Sequence, residues 1–395
     1  MSNMEIQERL EILAQVAERL ERWRDDLVAA EAEDIGAPYQ IGHIELDIGI
    51  DHLGSMAVEV PHVAGKAPYG TVAAIFPYDA PVVMLARVGG AAVLGGNRFR
   101  FSFSSQTPRT ARVIAEVVRP FPIFEPVVGQ ANPQFGRQCI ADPQVRVFFI
   151  SGGSEVGTIY EQAAANFDKL FFAGPGGMPA AVLLADTSIT AAARYLVRRA
   201  FINGGQYCTT IKKAYIHSEI YEQVKSAVLT QLAEIKVGEV HDPDVWIGPI
   251  RVERTRRLLS ESLEAIPRPR YLVPPRLEGE WIWPLLVEVK EVPDLVMFGP
   301  FLALIRVKDD AEAIERVQQT EYPFAVSIFG TPTAEAREQL EQTFGMVYEN
   351  PNFTFTPLRL PFGGKKQSGW ILENKDGSLQ RRDGAFIYSA ELVQG

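Results

Sequence analysis

The sequence predicts an α/β fold of two domains, each built on a mainly parallel sheet with helices on both faces. Three observations predict it. The chain has 395 residues, and at about 150 residues per domain that length suggests two units. From residue 70 onward, short apolar strands alternate with helices, the pattern of a parallel sheet covered on both sides. The Gly/Pro-rich stretch Ala173-Gly-Pro-Gly-Gly-Met-Pro179 then interrupts that alternation, which restarts beyond it.

The elements follow in order. Residues 4–33 read as an amphipathic helix, because Ile6, Leu10, Leu13, Ala17, Leu20 and Leu27 recur mostly at three- and four-residue steps. Gly36 and Pro38 end it. A second helix is expected over about 40–56, and Val58-Glu-Val60 alternates like a strand. Thr71 to Phe76 is a buried strand, followed by a helix near 82–95 and the strand Arg98–Phe103. Thr107-Pro108 opens the next helix, with Thr as N-cap and Pro at the first position. Val145–Ile150 is a mostly apolar strand that runs into Ser151-Gly-Gly-Ser-Glu-Val-Gly157 and a helix to about 166. Lys169–Phe172 is the next strand. In the second block the expectations are a strand at Ala181–Leu184 and helices at 189–203, near 218–233 and at 250–265. A later unit holds a helix at Asp310–Gln319, a strand at Val326–Phe329 and a helix at 333–343. Five prolines between 267 and 284 mark loop or sheet edge. The tail from about 384 alternates like a strand.

Composition narrows the class of function. The 39 basic and 49 acidic side chains give a formal net charge of −10, with no Lys/Arg-rich block. Nucleic acid and anionic membranes are poor partners for such a chain. No apolar run approaches the ~20 residues of a membrane span, and the acidic, polar N-terminus does not read as a signal peptide. The two cysteines, Cys139 and Cys208, exclude a disulfide framework and fit a cytoplasmic protein with free thiols. The five histidines have no metal-ligand spacing, so no metal site is expected.

Two turns carry potential chemistry. Ser151–Gly157 links a strand to a helix, and its glycines allow close backbone approach to a ligand. Gly152, Gly153 and Ser154 therefore form either an anion site at a helix N-terminus or a tight connection. Phe201-Ile-Asn-Gly-Gly-Gln-Tyr-Cys208 follows a helix, and its two glycines permit a bend that a Cβ would block. Cys208 after such a bend reads either as a thiolate nucleophile or as a small buried hydrophobe. Cys139 reads as structural, as does Asn203, and Lys212 and Lys213 read as a solvated pair.

Six segments in order resemble the aldehyde dehydrogenase superfamily from about Pro68 to the end. Phe76-Pro-Tyr-Asp-Ala-Pro81 is similar to F-P-W-N-x-P, and Gly95-Gly-Asn97 to A-G-N. Gly152-Gly-Ser-Glu-Val-Gly157 is similar to G-S-T-E-V-G, and Gly205-Gln-Tyr-Cys208 to the nucleophile motif G-Q-x-C. Phe298-Gly-Pro300 resembles the end of E-I-F-G-P, and Pro361-Phe-Gly-Gly364 resembles P-F-G-G. The resemblance implies a Rossmann-like cofactor domain over 1–56 and 67–174 and a catalytic domain over 175–363. It also implies a small β oligomerisation arm and tail, 57–66 and 364–395, pairing with another subunit in a homo-oligomer or with a paralogous chain. It implies a thiohemiacetal and then a thioester on Cys208, with hydride leaving to NAD or NADP. Pro77, Ser102, Gly152, Gly153, Ser154 and Phe298 are implied to surround that cofactor.

The chain departs from the family at working positions. Asp79 stands where an oxyanion-binding Asn is the rule, and an ionised carboxylate there repels a developing oxyanion. Gly174 stands 34 residues before Cys208, where the family places a general-base Glu. Ser102 and Ser105 replace ribose-binding residues, as does Val296. Ala173-Gly-Pro-Gly-Gly-Met-Pro-Ala180 is similar to G-P-G-N-V-P-A of the branch that transfers its acyl group to coenzyme A and also lacks the Glu. Three readings therefore stand. The first is an NAD(P)-dependent oxidoreductase acting on an aldehyde or acyl-thioester, with coenzyme A as co-substrate. The second is a non-redox Cys acyl transferase or hydrolase with Asp79 as base. The third is a degenerate subunit pairing with an active paralogue.

Overall fold

The computed structural model describes residues 4–395. Two seven-stranded sheets organise them, as the alternation predicts. The first sheet runs Ser378–Arg382, Trp370–Lys375, Leu170–Ala173, Val145–Ile150, Thr71–Ile75, Arg98–Ser102, Phe124–Val127. Its five N-terminal strands are parallel, and the two C-terminal strands add an antiparallel edge. Chain order reverses between Thr71–Ile75 and Val145–Ile150, where Ile75 pairs with Ile150. A crevice opens at the carboxyl ends of two strands at such a reversal. Both Phe76-Pro-Tyr-Asp79 and the Ser151–Ser154 turn leave the sheet there.

The second sheet runs Arg270–Val273, Leu285–Glu288, Phe301–Val307, Lys213–His217, Ala180–Leu183, Ala325–Phe329, Met346–Glu349. It is parallel apart from Arg270–Val273, an edge strand in the proline-rich region. Leu170–Ala173 ends the parallel part of the first sheet, and after a six-residue linker, 174–179, Ala180–Leu183 is the first strand of the second. The carboxyl edge of one sheet thus meets the amino edge of the other, and the connection lies at that seam.

The N-terminal helices pack on the first sheet through Leu13, Val16, Leu20, Leu27 and Leu53, against Phe76, Phe99 and Phe101. The long helix expected at 4–33 is two helices, Ile6–Arg22 and Arg24–Ile35, meeting at Trp23 (φ −100°, ψ 15°). Gly36 closes the second in the left-handed region at φ 78°. A Cβ on Gly36 would lie 1.6 Å from the Pro249 carbonyl oxygen, so no other residue fits. Thr107 sits at the N-cap of Pro108–Val118, but its hydroxyl donates to the Ser104 carbonyl instead. Asp34 supplies the cap, accepting from the Arg109 and Thr110 amides at 3.0 and 2.9 Å. A side chain brought in by another helix has satisfied the orphan donors.

Two strand expectations are corrected. Residues 58–60 lie in the 3₁₀ helix Met56–Glu59 and the turn Val60–Val63, because Glu59 points inward to accept from the Ser389 hydroxyl. The strand beside them is Ala67–Pro68, paired with Val393–Gln394. The tail from 384 makes one bridge, Phe362 to Phe386, and then a helical turn at Tyr388–Glu391. The C-terminal strands are Trp370–Lys375, Ser378–Arg382 and, past that turn, Val393–Gln394. Lys213–His217 and Phe301–Val307, at the centre of the second sheet, had no counterpart among the expected strands.

Candidate active site

The helix Ile189–Phe201 ends in three consecutive left-handed residues, Asn203 (φ 49°), Gly204 (φ 61°) and Gly205 (φ 70°). That reversal turns the chain back and presents Cys208 at the seam. Gly205 is obligatory, since a Cβ there would sit 2.0 Å from the Gly299 carbonyl oxygen. Gly176, at φ 76°, passes over Cys208 so closely that a Cβ would lie 2.6 Å from the Cys208 Cβ. The linker between the sheets is therefore moulded on the cysteine.

Lys212 and Lys213 are buried, not the solvated pair expected. The Lys212 ammonium donates to the Gly205 carbonyl at 3.1 Å and the Gly299 carbonyl at 2.6 Å. The Gly299 amide also donates to Gly205 O at 3.1 Å. These bonds tie the cysteine turn to Phe298-Gly-Pro300, in which Phe298 is half-buried. Burial pushes the Lys212 pKa down to about 7.

Cys208 is half-buried and packs among Phe324, Met346, Tyr348 and Phe362. Its amide donates to Asp79 Oδ2 at 3.4 Å. Burial holds the Asp79 carboxyl up at about 6, opposed by bonds from its own amide and that of Cys208. Burial, then the Asp79 charge, pushes the Cys208 thiol above the ordinary range, while Arg87 and Arg199 pull it down. Cys139 is buried in the first domain, with its thiol pushed up to about 11 by burial. That is the structural setting its sequence suggested.

Behind Asp79 lies a carboxyl pair that sequence reasoning missed. Glu45 accepts from the Tyr207 hydroxyl at 3.2 Å, and Glu31 is buried beside it. Burial raises Glu45 from 4.5 to about 8, with the Asp79 charge adding to the effect. An unfolded chain releases this proton near 4.5, whereas the folded chain keeps it to about 8. Stability therefore falls as pH rises across that window, by roughly 1.4 kcal/mol per pKa unit at the most. We expect Glu45→Gln, which never ionises, to gain a few kcal/mol over the parent between pH 5 and pH 8.5. Urea unfolding at both pH values checks this, and an equal difference at the two would refute it.

Arg87 was also missed. It sits in the π-helical turn Leu85–Gly89 inside the apolar helical run Pro81–Leu94. π-Turns inside helices frequently mark functional sites. Its guanidinium lies 3.8 Å from the Phe362 ring centroid, and Phe362 packs by Cys208. Nε and Nη2 are buried without a hydrogen-bond partner, and no ion pair to Arg87 exists among the described residues. Arg87 lines a small cavity with His52, Glu59, Arg359, Phe386 and Tyr388. The sequence signal was present: a single charge within Val82-Val-Met-Leu-Ala-Arg-Val-Gly-Gly-Ala-Ala-Val-Leu94.

The remaining predicted residues flank the crevice. Pro77 is half-buried at the end of Thr71–Ile75. Gly152, Gly153 and Ser154 lead into the helix Ser154–Ala165, and the Ser154 hydroxyl donates to the Gln367 carbonyl at 2.8 Å. A Cβ on Gly153 would stand 3.5 Å from the Arg254 guanidinium, which reaches in from the second domain. Next to Arg254, Thr255 bonds the Tyr78 hydroxyl at 2.8 Å, joining the two lobes over the crevice. Ser102 is fully buried, and its hydroxyl donates to Asn132 Oδ1 at 2.8 Å. Ile159 is 65% exposed on the helix and Val128 40% exposed just after Phe124–Val127. Helix-terminal amides and Arg254 fit a dinucleotide, whereas Val296 supplies no ribose hydrogen bond. No cluster of metal-ligating side chains occurs among the described residues.

Residues 1–381 match the model of the aldehyde dehydrogenase family. A 2-hydroxymuconic semialdehyde dehydrogenase of Pseudomonas sp. (strain CF600) is 26% identical over 95% of this chain and 85% of its own. A succinate-semialdehyde dehydrogenase [NADP(+)] of Escherichia coli (strain K12) is 28% identical over 77% of this chain and 66% of its own. An aldehyde dehydrogenase from Brucella melitensis biovar abortus 2308 superposes with a TM-score of 0.87 at 22% identity, covering 99% of this chain and 84% of that one. A glyceraldehyde-3-phosphate dehydrogenase from Methanocaldococcus jannaschii, complexed with NADP, gives 0.85 at 22% identity over 99% and 89%. With the cysteine turn, the crevice and the two-sheet seam in place, the chain belongs to the aldehyde dehydrogenase family.

Proposed function

We propose that the protein oxidises a carboxylate-bearing aldehyde through a covalent Cys208 adduct, with NAD or NADP as hydride acceptor and a thiol such as coenzyme A as acyl acceptor. The observation that carries this reading is the placement of Cys208. It lies half-buried at the seam of the sheets, with the unpaired Arg87 guanidinium behind Phe362. Relatives named for succinate semialdehyde and 2-hydroxymuconic semialdehyde support an acid-bearing substrate. Gly174, at the end of Leu170–Ala173, carries no carboxylate to activate water, which favours a thiol acceptor.

In this reading the nicotinamide takes up hydride when bound. Cys208 supplies the nucleophile, the Lys212 bonds hold its turn against Phe298, and Gly152–Ser154 with Arg254 hold the pyrophosphate. Arg87 orients the substrate carboxylate. The strand Ser378–Arg382, last in its sheet and carrying exposed Leu379, is the edge on which a second subunit pairs.

The test titrates NAD⁺ and NADP⁺ into the protein and then follows reduced nicotinamide with two aldehyde sets, with and without coenzyme A. One set holds semialdehydes such as succinate semialdehyde. The other holds neutral aldehydes such as lactaldehyde, the substrate in the name of a Methanococcus maripaludis relative. Turnover with the acidic set, raised by coenzyme A, is expected. A blank titration would favour the catalytically silent subunit, for which the ribose positions Ser102 and Val296 argue. Thioester cleavage without nicotinamide would favour the non-redox enzyme.

A further inference from the structure

We infer that Asp79 is a two-way proton carrier for Cys208, taking the thiol proton and then donating it to the oxygen of the attacked carbonyl. The inference rests on the reading of Cys208 as the nucleophile. In the family pattern Asp79 replaces a neutral amide whose NH2 donates to the oxyanion, so a carboxylate there needs its own chemical account.

The geometry supplies one. Asp79 Oδ2 is 3.4 Å from the Cys208 nitrogen, so the carboxyl is seated against the residue that carries the sulfur. It is buried, and no cation pairs with it among the described residues. Its amide contacts hold the charged form but leave it easily protonated, near pH 6. Among the described residues no histidine faces the half-buried thiol, and the family Glu is replaced by Gly174, which leaves Asp79 as the acceptor at hand.

The step balances. The S–H proton passes to an Asp79 oxygen, leaving thiolate and a neutral carboxylic acid. The sulfur lone pair forms the S–C bond as the carbonyl π pair moves onto oxygen. The acid then donates its proton to that oxygen, giving a neutral thiohemiacetal and regenerating the carboxylate. Nothing is oxidised or reduced in this step. A neutral buried carboxylic acid is a competent oxyanion donor, so the repulsion that an ionised Asp79 would exert is relieved by the proton it has just taken.

The charged and titratable groups around the pair are few. Arg87 and Arg199 face the thiol and favour thiolate, Tyr388 lies on the same side, and Tyr348 packs in the same cluster as Cys208. Glu45, Tyr207 and Tyr78 face Asp79. Glu45 is held neutral through pH 7 by burial, so the proton from Cys208 goes to Asp79 and not beyond it.

The experiment needs neither cofactor nor aldehyde, so its outcome is separate from that of the function assay. Carboxyamidomethylation of Cys208 by iodoacetamide is followed by mass spectrometry from pH 5 to 9, in the parent and in Asp79→Asn. The parent is expected to show a rate limb centred near pH 6, where Asp79 becomes able to accept, followed by a plateau. Asp79→Asn is expected to lose that limb and to react at least tenfold more slowly at pH 7. If Asp79 only repels the thiolate, Asp79→Asn reacts as fast or faster at every pH, which overturns the inference. The parent profile decides alone should the variant not fold: a curve rising without a limb near pH 6 overturns it equally.

Discussion

Cys208→Ala reduces aldehyde-dependent nicotinamide reduction to background, a loss on the order of 10⁴-fold or more, while thermal stability is nearly unchanged. The two halves of this expectation have separate causes. Without the sulfur no covalent adduct forms, and no other side chain in the turn replaces it. Thr209 and Thr210 carry hydroxyls, but the Thr210 hydroxyl already donates to the Tyr207 carbonyl at 2.8 Å. The fold scarcely depends on the thiol. It is half-buried, and the turn is held instead by the Lys212 bonds, the Gly299 amide and the Asp79 contact to the Cys208 amide. Losing one sulfur from a partly exposed site removes about 1 kcal/mol of packing or less. Turnover assays beside a thermal melt check both halves. Cys139→Ala is the control, since that residue lies in the core of the first domain. Residual turnover in Cys208→Ala above a few percent would place the chemistry elsewhere.

The parts of this fold legible in the sequence are those with a local cause. The strands Thr71–Ile75 and Val145–Ile150 and the helix Pro108–Val118 between them announce themselves through periodicity and turn residues, whereas the helix Asn132–Ala141 does not. The bend before Cys208 is equally local, because consecutive left-handed positions demand glycine or asparagine. Lys213–His217 escaped notice because its two-lysine entry reads as surface, and only tertiary burial shows that both ammonium groups turn inward. Val58–Val60 misled because two valines spaced by one residue fit a strand and a 3₁₀ turn alike. What decided it was Ser389, 330 residues away, bonding Glu59. The site follows the same rule. The Cys208 turn is visible in the sequence, but its contact to Asp79 spans 129 residues, and the Glu45–Tyr207 bond spans 162. Arg87 belongs between these cases: one charge in an apolar helix is a local signal, yet its meaning depends on Phe362 lying beneath it.

Arg87→Leu is expected to lower kcat/KM for carboxylate-bearing aldehydes by about 10²–10³-fold, spare neutral aldehydes and raise the melting temperature. A buried guanidinium is strongly disfavoured unless its donors are met. Here Nε and Nη2 are buried without partners, and burial pulls the pKa of the group down. The stacking on Phe362 at 3.8 Å offsets only part of that penalty, since such contacts contribute about 2 kcal/mol when desolvated. A side chain kept in this state is poised for a ligand that completes it, and a carboxylate matches two parallel N–H donors. Truncating one partner of a buried, charge-assisted pair removes about 2–5 kcal/mol, and the middle of that range is the predicted selectivity loss. Leucine also fills apolar volume between Phe362 and the helix without an unpaired charge, so the variant gains stability. A purely structural arginine makes the opposite forecast. Its loss would lower the melting temperature and reduce turnover of acidic and neutral aldehydes alike. Measuring both aldehyde classes and the melt on one preparation therefore separates recognition from architecture, and a lower melting temperature with equal losses would refute the assignment of Arg87 to the substrate.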